Sequence, residues 1–279
     1  MAEIYYDSRL LDADKIYFNR HPYYLQFDTD LFSHKWTYQN SEYADKVAKF
    51  DMRFVEKKFI IGILESDDAR YKAALKKIDN VFDRNVRVLQ PGRLYCGEDY
   101  LLCYIIANEK DRYDTRVNKS VHPYTLLAEN GQWIRNVTYA TSAVATYDGL
   151  DYLYDYPYDY GDNRNLDYIT NDTVAGADFQ LTMYGPVDLP AVDIGDYHYG
   201  VDVNLASGEV LFIDSIQRVV WKRTVDNRML NVFSLRSRDN DIFQKIQPGR
   251  QAIERNDDFE LKLTMNCYRT MPEWWEESV

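Results

Sequence analysis

Several segments in the first part of the chain have the hydrophobic pattern of β-strands. Residues 49–56 alternate between apolar and polar side chains, which is the period of a half-buried strand. The apolar side of this alternation consists of Phe50, Met52 and Phe54. Short apolar runs at 59–64 and 100–107 also have strand length. The pattern therefore predicts several strands here, with Phe50, Met52 and Phe54 on a buried face.

One segment between these strands has helical spacing instead. Ser66 is followed by Asp67 and Asp68, and acidic residues are favourable in the first turn of a helix. Apolar residues then recur every three or four positions: Tyr71, Ala74, Leu75, Ile78 and Phe82. This spacing predicts one amphipathic helix over about 66–83.

Polar residues dominate from 108 to about 135. His122-Pro123 and Asn130-Gly131 are chain breakers within this region. We therefore place a domain boundary near residue 130, giving an N-terminal domain of residues 1–130 and a C-terminal domain of residues 131–279.

The second domain has the pattern of an antiparallel β-structure, with turn residues every eight to twelve positions. Predicted strands lie at 179–183, 199–203, 209–214, 219–221, 230–235 and 258–266. The last of these alternates strictly, with Phe259, Leu261, Leu263 and Met265 on the core side. The pattern predicts a β-sandwich or barrel.

An acidic and aromatic segment at 147–168 interrupts this pattern. It contains seven Tyr and six Asp but one Arg, and it has neither helical nor strand periodicity. It is either a loop packed on its own domain or a contact surface for another chain. In both cases we expect it to be ordered. The candidate contact residues are Tyr152, Tyr154, Tyr156, Tyr158 and Tyr160.

Composition and charge exclude several classes of protein. The formal net charge of −12 disfavours broad binding to nucleic-acid phosphates. No apolar run is long enough to cross a bilayer, and no secretory signal is visible, so synthesis in a reducing cytoplasm is expected. Cys96, Cys103 and Cys267 lack the spacing of a redox or zinc motif and are predicted to be small buried hydrophobic residues.

Signatures of catalysis and cofactor binding are nearly absent. The chain has no phosphate-binding loop, nucleophile elbow or zinc-protease motif. His198 is the one candidate general base, although a strand histidine is more often simply packed. The acidic positions Asp159, Asp162, Asn163 and Asp167 lack the glycine and final glutamate of a calcium loop. We predict no catalytic residue, metal or cofactor.

Several short sequence segments in the second half, taken in their order along the chain, suggest a protein family. They are residues 152–160, the segment 179–186, Pro190, the Tyr199 strand, residues 208–215 with Gly208, Glu209 and Asp214, residues 231–233 and 242–246, Pro248-Gly249, Arg269, Pro272 and Trp274. In this order they resemble the distal tail proteins of long-tailed, non-contractile phages. The resemblance covers about residues 147–275, and the first half fits it more loosely.

The resemblance implies a mainly β, non-enzymatic structural protein of the phage tail tip. It implies an N-terminal domain, a β-sandwich or barrel with one helix, that forms a homohexameric ring continuing the tail tube. It also implies a galectin-like C-terminal sandwich that docks receptor-binding or baseplate proteins. The other implied partners are the tail tube protein and the tail-associated hub protein. DNA would pass through the ring without specific binding, and no membrane is involved. The protein would be made in the host cytoplasm and end in the virion.

A homomeric ring requires two different matching patches on each copy. The sequence offers the edge of the 49–64 strands and the polar face of the 66–83 helix. That helix face carries Arg70, Lys72, Lys76 and Lys77 on an otherwise acidic molecule. Near the end of the chain, we expect Trp274 to be buried, because Arg269 and Pro272 fix the path that leads to it.

Two other functions remain open. A carbohydrate-binding module would also combine a β-sandwich with many aromatic residues. An enzyme acting on glycans would need two facing carboxylates, and a sequence with 45 acidic residues cannot show which ones face each other. A ring in solution would distinguish the tail protein from the module, and turnover of cell-wall glycans would reveal the enzyme.

Overall fold

The computed structural model describes residues 2–11, 14–26, 29–41, 45–109, 112–114, 119–141, 167–238 and 241–273. These residues fold into two compact units. The first contains Met1–Arg135 and Arg269–Val279, and the second contains Asn136–Tyr268. The division lies five residues after the predicted boundary at 130. Residues 269–273, which the sequence analysis assigned to the second domain, return to the first unit.

The first unit is built on antiparallel strands. They are β1 (Ile4–Asp7), β2 (Lys15–Tyr17), β3 (Asn19–Arg20), β4 (Tyr23–Leu25), β5 (Thr37–Asn40), β6 (Val47–Asp51), β7 (Arg53–Leu64), β8 (Gly92–Cys96), β9 (Asp99–Asn108), β10 (Arg112–Asp114), β11 (Lys119–Asn130) and the start of β12 (Trp133–Thr141). In its main sheet, β9, β11, β7, β4 and β3 are neighbours in that order, and β8 pairs with β9 and β1. Strands β5 and β6 form a separate two-stranded ribbon.

The helix α1 (Asp68–Val88) confirms the helical prediction and continues five residues beyond it. Asp67 is its N-cap and accepts a hydrogen bond from the Arg70 amide over 2.8 Å. The helix ends at Leu89, which has a left-handed backbone conformation with φ of 54°. Its apolar face packs against β7 and β9, and its buried residues are Tyr71, Ala74, Ile78, Val81, Phe82 and Asn85.

The polar region at 108–135 contains the long strand β11, which His122-Pro123 does not break. Pro123 is accommodated because β11 changes neighbours beside it: β10 pairs with residues 119–121 and β9 with residues 124–128. The Pro123 carbonyl accepts a hydrogen bond from the Glu109 amide just past the end of β9. A proline that lies between two pairings removes no ladder hydrogen bond.

The second unit is a β-sandwich with one hydrophobic core between its two main sheets. Its strands are β13 (Asp167–Asn171), β14 (Asp178–Tyr184), β15 (Val187–Asp188), β16 (Ala191–Ile194), β17 (Tyr197–Gly200), β18 (Asn204–Leu205), β19 (Val210–Asp214), β20 (Val219–Arg223), β21 (Met229–Asn231), β22 (Gly249–Arg255) and β23 (Leu261–Arg269). One sheet has the order β13-β22-β16-β17, and the other has the order β21-β20-β19-β14-β23. The mainly β fold class is thereby confirmed.

The predicted inward positions of the second unit are buried as expected. Phe259, Leu261, Leu263 and Met265 all lie in the core. The predicted strand at 230–235 is wrong in its second half, because β21 ends at Asn231 and a 3₁₀ helix covers Phe233–Leu235. The Asn231 side chain accepts a hydrogen bond from the Phe233 amide, which turns the chain out of the strand.

The three cysteines are buried thiols outside any disulfide, and their burial was predicted. Burial raises the pKa of the Cys96 thiol to about 11 and that of Cys103 to about 12. Both thiols are therefore protonated at neutral pH and are poor nucleophiles. Among the described residues, no helix has the length and hydrophobicity needed to span a membrane.

Candidate interaction surfaces

The four basic residues predicted to form a ring contact are all exposed on α1. Arg70, Lys76 and Lys77 lie on its solvent side, and Lys72 forms an exposed ion pair with Asp68 at 2.6 Å. Exposed pairs of this kind contribute little to stability. The helix therefore presents a basic face that is free to meet an acidic surface.

A second candidate surface in the first unit is the ribbon formed by β5 and β6, together with the residues that flank it. It exposes large aromatic side chains: Trp36, Tyr38, Phe50 and Phe54. Tyr38 and Phe50 are opposite each other in the β5–β6 pairing. We call this surface the aromatic ribbon. Contiguous exposed aromatic residues are characteristic of sites that contact other molecules.

The aromatic ribbon shows that part of the strand prediction at 49–56 is wrong. Met52 is buried as expected, but Phe50 is 58% and Phe54 is 71% exposed. The alternation breaks between β6 and β7, where the Asp51 carboxylate accepts from the Arg53 amide at 3.0 Å and binds its guanidinium. These hydrogen bonds also hold the pKa of Asp51 well below its usual range.

Phe54 itself has an unusual backbone conformation. Its φ is +54°, a region that costs energy for a bulky residue and is often retained at functional positions. With Trp36, Phe50 and Met52 it lines a groove of about 480 Å³, whose polar lining includes Glu129, Asn130 and Gln132. The groove offers apolar walls and a polar rim, which suits an inserted side chain of another polypeptide.

The family landmarks of the second unit have local structural roles. Gly208 adopts φ of +85° in the turn before β19, a conformation that favours glycine. Glu209 binds Lys222 at 2.6 Å, and this hydrogen bond lowers the pKa of Glu209. Asp214 caps the next turn by accepting from the amides of Ile216 and Gln217. Pro248-Gly249 starts β22, with φ of +92° at Gly249.

Arg269 belongs to an ion-pair network of the first unit. The fully buried Asp99 accepts two hydrogen bonds from the Arg135 guanidinium, at 2.9 and 3.0 Å, and a third from the Glu273 amide at 2.7 Å. The Glu273 carboxylate in turn pairs with Arg135 and with Arg269. Burial opposes ionisation, but these bonds lower the pKa of Glu273. Pro272 is buried beside them. The network explains why residues 269–273 return to the first unit.

Several predicted contact residues lie outside the described residues. They are Tyr152, Tyr154, Tyr156, Tyr158, Tyr160 and Trp274. The 147–168 segment is described from Asp167 onwards, where β13 begins. Tyr168 of that strand is partly exposed and is covered by the Arg250 guanidinium, 3.8 Å from the ring centre.

Two histidine–carboxylate pairs occur among the described residues, and in one of them His21 Nε2 lies 3.5 Å from Glu65 Oε2. His198 Nδ1 lies 2.6 Å from Asp193 Oδ1 beside a small acidic pocket. Within the described ranges, no group of three or more His, Cys, Asp or Glu side chains could hold a metal ion.

Comparison of the whole fold with solved structures identifies phage proteins. The chain is similar to the SPP1 Dit protein, described as a paradigm of the hub adsorption apparatus in phages that infect Gram-positive bacteria, with a TM-score of 0.60 and 5% identity over 96% of this chain and 99% of that one. It is also similar to a chain of the phage P2 baseplate in its activated conformation, with a TM-score of 0.59 and 11% identity over 98% of this chain and 100% of that one. The structures of that baseplate with Ca and with Sr give the same values.

No protein-family model matches the sequence, and no curated protein matches it. The similarity is thus one of fold. It confirms the resemblance at the level of the fold, because both similar structures are phage proteins, one from a hub adsorption apparatus and one from a baseplate. The chain has the mainly β fold of SPP1 Dit and of the phage P2 baseplate chain.

Proposed function

We propose that this protein is a structural component of a phage tail tip. The observation that carries the proposal is the similarity of fold over nearly the full length of both this chain and SPP1 Dit. A similarity that covers both units together is more specific than a β-sandwich alone, because β-sandwiches occur in many unrelated proteins. In this role the protein works by binding other proteins and has no catalytic step.

The first unit forms a homomeric ring, with six copies as the family resemblance implies. A ring needs two different patches that match each other on neighbouring copies. The basic face of α1 and the aromatic ribbon are two candidate parts of these patches, with different chemistry. The aromatic side chains would supply apolar burial, and Lys76 and Lys77 would fix orientation against acidic groups of the neighbour.

The ring connects the tail tube to the tail-associated hub protein, and the second unit docks receptor-binding or baseplate proteins. The formal charge of −12 suits a ring through which DNA passes without being held. Carboxylates on the inner wall would repel the duplex at close range, since screening limits this repulsion to about 8 Å in physiological salt. A lumen lined mainly by Lys and Arg would contradict this part of the proposal.

The proposal is tested by measuring the mass and shape of the purified protein. Native mass spectrometry and negative-stain microscopy should show a closed ring with a mass about six times 33.0 kDa. A protein that stays monomeric at high concentration would contradict the proposal. A monomer that binds glycans would instead support the carbohydrate-binding module.

A further inference from the structure

Strand β21 is an open edge of the second unit's larger sheet. It pairs with β20 on one side and ends the strand order there. The Thr224 amide bonds to the Arg228 carbonyl at 3.0 Å, and the Val232 amide bonds to the Val220 carbonyl at 3.1 Å. Because antiparallel pairing alternates, the backbone groups of Met229 and Asn231 point away from β20. They offer donors and acceptors to a further strand.

The chain around this edge is strongly basic in an acidic protein. Residues 216–238 contain six Lys or Arg and a single acidic residue, Asp226. Two of the basic residues are neutralised locally, since Lys222 pairs with Glu209 and Arg218 with Asp241. The remaining four are Arg223, Arg228, Arg236 and Arg238. Within the described part of the chain, none of these four forms an ion pair with a carboxylate. Arg223 and Arg228 lie at one end of β21, whereas Arg236 follows the 3₁₀ helix, where its backbone forms a bridge with Val201 and its guanidinium donates to the Phe233 carbonyl.

The edge also carries apolar surface. Met229 is 51% and Leu230 is 47% exposed. Met229 is opposite Arg223 in the pairing of β20 with β21, and Trp221 is opposite Phe212 in the pairing of β19 with β20. By the alternation of strand side chains, all four therefore lie on one face of the sheet. Trp221 and Phe212 are both half-buried, and the Arg223 guanidinium lies 5.5 Å from the Phe212 ring centre.

We propose that β21 binds an extended, acidic segment of another protein, which adds as a strand to this sheet. Backbone hydrogen bonds to Met229 and Asn231 would give affinity, as in other cases of strand addition. Carboxylates of the segment would meet Arg223 and Arg228 at one end of the edge. Apolar residues between them would cover Met229 and Trp221.

A polypeptide fits this surface better than a nucleic acid does. The exposed backbone edge and the apolar Met229 and Leu230 have no partner on a phosphate chain, and the net charge of −12 repels one at longer range. This inference rests on the proposed docking role of the second unit. To that role the inference adds the strand edge that binds the partner and the negative charge of the partner segment.

The test measures binding of a short labelled peptide in which Glu alternates with Val. Fluorescence anisotropy should show saturable binding that weakens as salt rises, and the same peptide with Lys in place of Glu should not bind. The double variant Arg223→Glu/Arg228→Glu should bind at least about tenfold more weakly. Arg9→Glu/Arg20→Glu changes the net charge equally at two exposed residues of the first unit outside both candidate ring surfaces, so its peptide binding should match that of the unmodified protein.

A second pair of variants tests the backbone contact. Met229→Pro removes the outward amide, whereas Met229→Ala removes only the side chain, so the proline variant should bind more weakly than the alanine variant. Thermal melting checks that both variants are folded. Equal binding by these two variants, or unchanged binding after reversal of Arg223 and Arg228, would overturn the proposal.

Two further outcomes would replace the proposed occupant. Competition by single-stranded DNA that is lost with Arg223 and Arg228 would assign the surface to nucleic acid. Self-association that is lost in Met229→Pro would assign it to a second copy of the chain. Native mass measurements on the same variants should still show the ring, which separates failure of this inference from failure of the proposed function.

Discussion

The Lys57 ammonium donates a hydrogen bond to the carbonyl oxygen of Leu31 over 2.8 Å. Lys57 lies on β7 and is 2% exposed, and it also donates to the Ser33 carbonyl at 2.7 Å. A buried cation thus holds the loop that leads to Trp36 and the aromatic ribbon. Burial lowers the pKa of Lys57 from 10.5 to about 8, and the nearby side chains of Cys103 and Asp30 only partly oppose this shift.

This lowered pKa predicts a pH-dependent stability. Between pH 8 and 10.5 the unfolded chain keeps a proton on Lys57 that the folded chain has lost, so the free energy of unfolding should rise with pH in this window. Relative to Lys57→Met, the unmodified protein should gain about 1.5 kcal/mol between pH 8 and 9.5. Urea unfolding at several pH values measures this difference. A constant difference across that range would contradict the prediction.

The buried Asp99 should be essential for the stability of the first unit. Asp99→Ala leaves the Arg135 guanidinium and the Glu273 amide without their partner. Loss of one member of a buried ion pair costs about 3–5 kcal/mol. Asp83→Ala removes an exposed partner of Arg87 instead and should cost no more than about 0.5 kcal/mol. Chemical unfolding measures the free energy of unfolding of both variants. Equal losses in the two variants would show that the buried network stabilises the first unit no more than an exposed ion pair does.

Asn85 should be the critical polar residue of α1. Its amide donates to the carbonyls of Ser8 and Gln90, and its oxygen accepts from the Tyr6 hydroxyl at 3.1 Å. Asn85→Ala leaves these buried groups unpaired and should cost about 2–4 kcal/mol. The matched variant Asn80→Ala, on the exposed side of the same helix, should be nearly neutral. A melting temperature clearly lower for Asn85→Ala than for Asn80→Ala would confirm the prediction, and equal melting temperatures would contradict it.

The aromatic ribbon should contribute to ring formation without supporting the fold of the isolated chain. Phe50→Ser/Phe54→Ser should weaken assembly, because both rings are exposed in the single chain and would become buried on contact. Unfolding of the monomer should change little. Leu11→Ser/Val174→Ser changes two exposed apolar residues outside the ribbon and is the control. Normal rings from the ribbon variant at low protein concentration would remove this surface from the interface.

Reversal of Lys76 and Lys77 to Glu should also weaken the ring while each monomer stays folded. Contacts of this type gain modest affinity from charge, so the effect should be larger at low salt. Sedimentation at two salt concentrations tests both statements. Undisturbed assembly at moderate salt would exclude the basic face of α1 from the interface.

The sequence predicted the second unit well because its strands have one covered face. Leu261, Leu263 and Met265 alternate with polar residues for that reason, and periodicity reports it directly. In the aromatic ribbon the same alternation led to a wrong prediction of burial, because periodicity does not show whether another element covers the apolar side of a strand. Phe50 and Phe54 have the pattern of core residues and lie in solvent.

Two other features could not be predicted from the local sequence. Pro123 has the signature of a chain break, but the change of strand neighbours that accommodates it comes from tertiary structure. Strand β21 is short and continues into a 3₁₀ helix, so its open edge was hidden inside one apparent strand at 230–235. The basic face of α1, by contrast, followed directly from helical spacing.

The return of residues 269–273 to the first unit constrains how the protein can fold on the ribosome. Arg135 and Asp99 emerge early, but Glu273, which binds both, is translated only after the whole second unit. The first unit must therefore wait, partly formed, while the inserted sandwich is synthesised and folds. A nascent chain arrested before Arg269 should carry a completed second unit and an incomplete first one, so assembly contacts of the first unit would mature only near the end of synthesis.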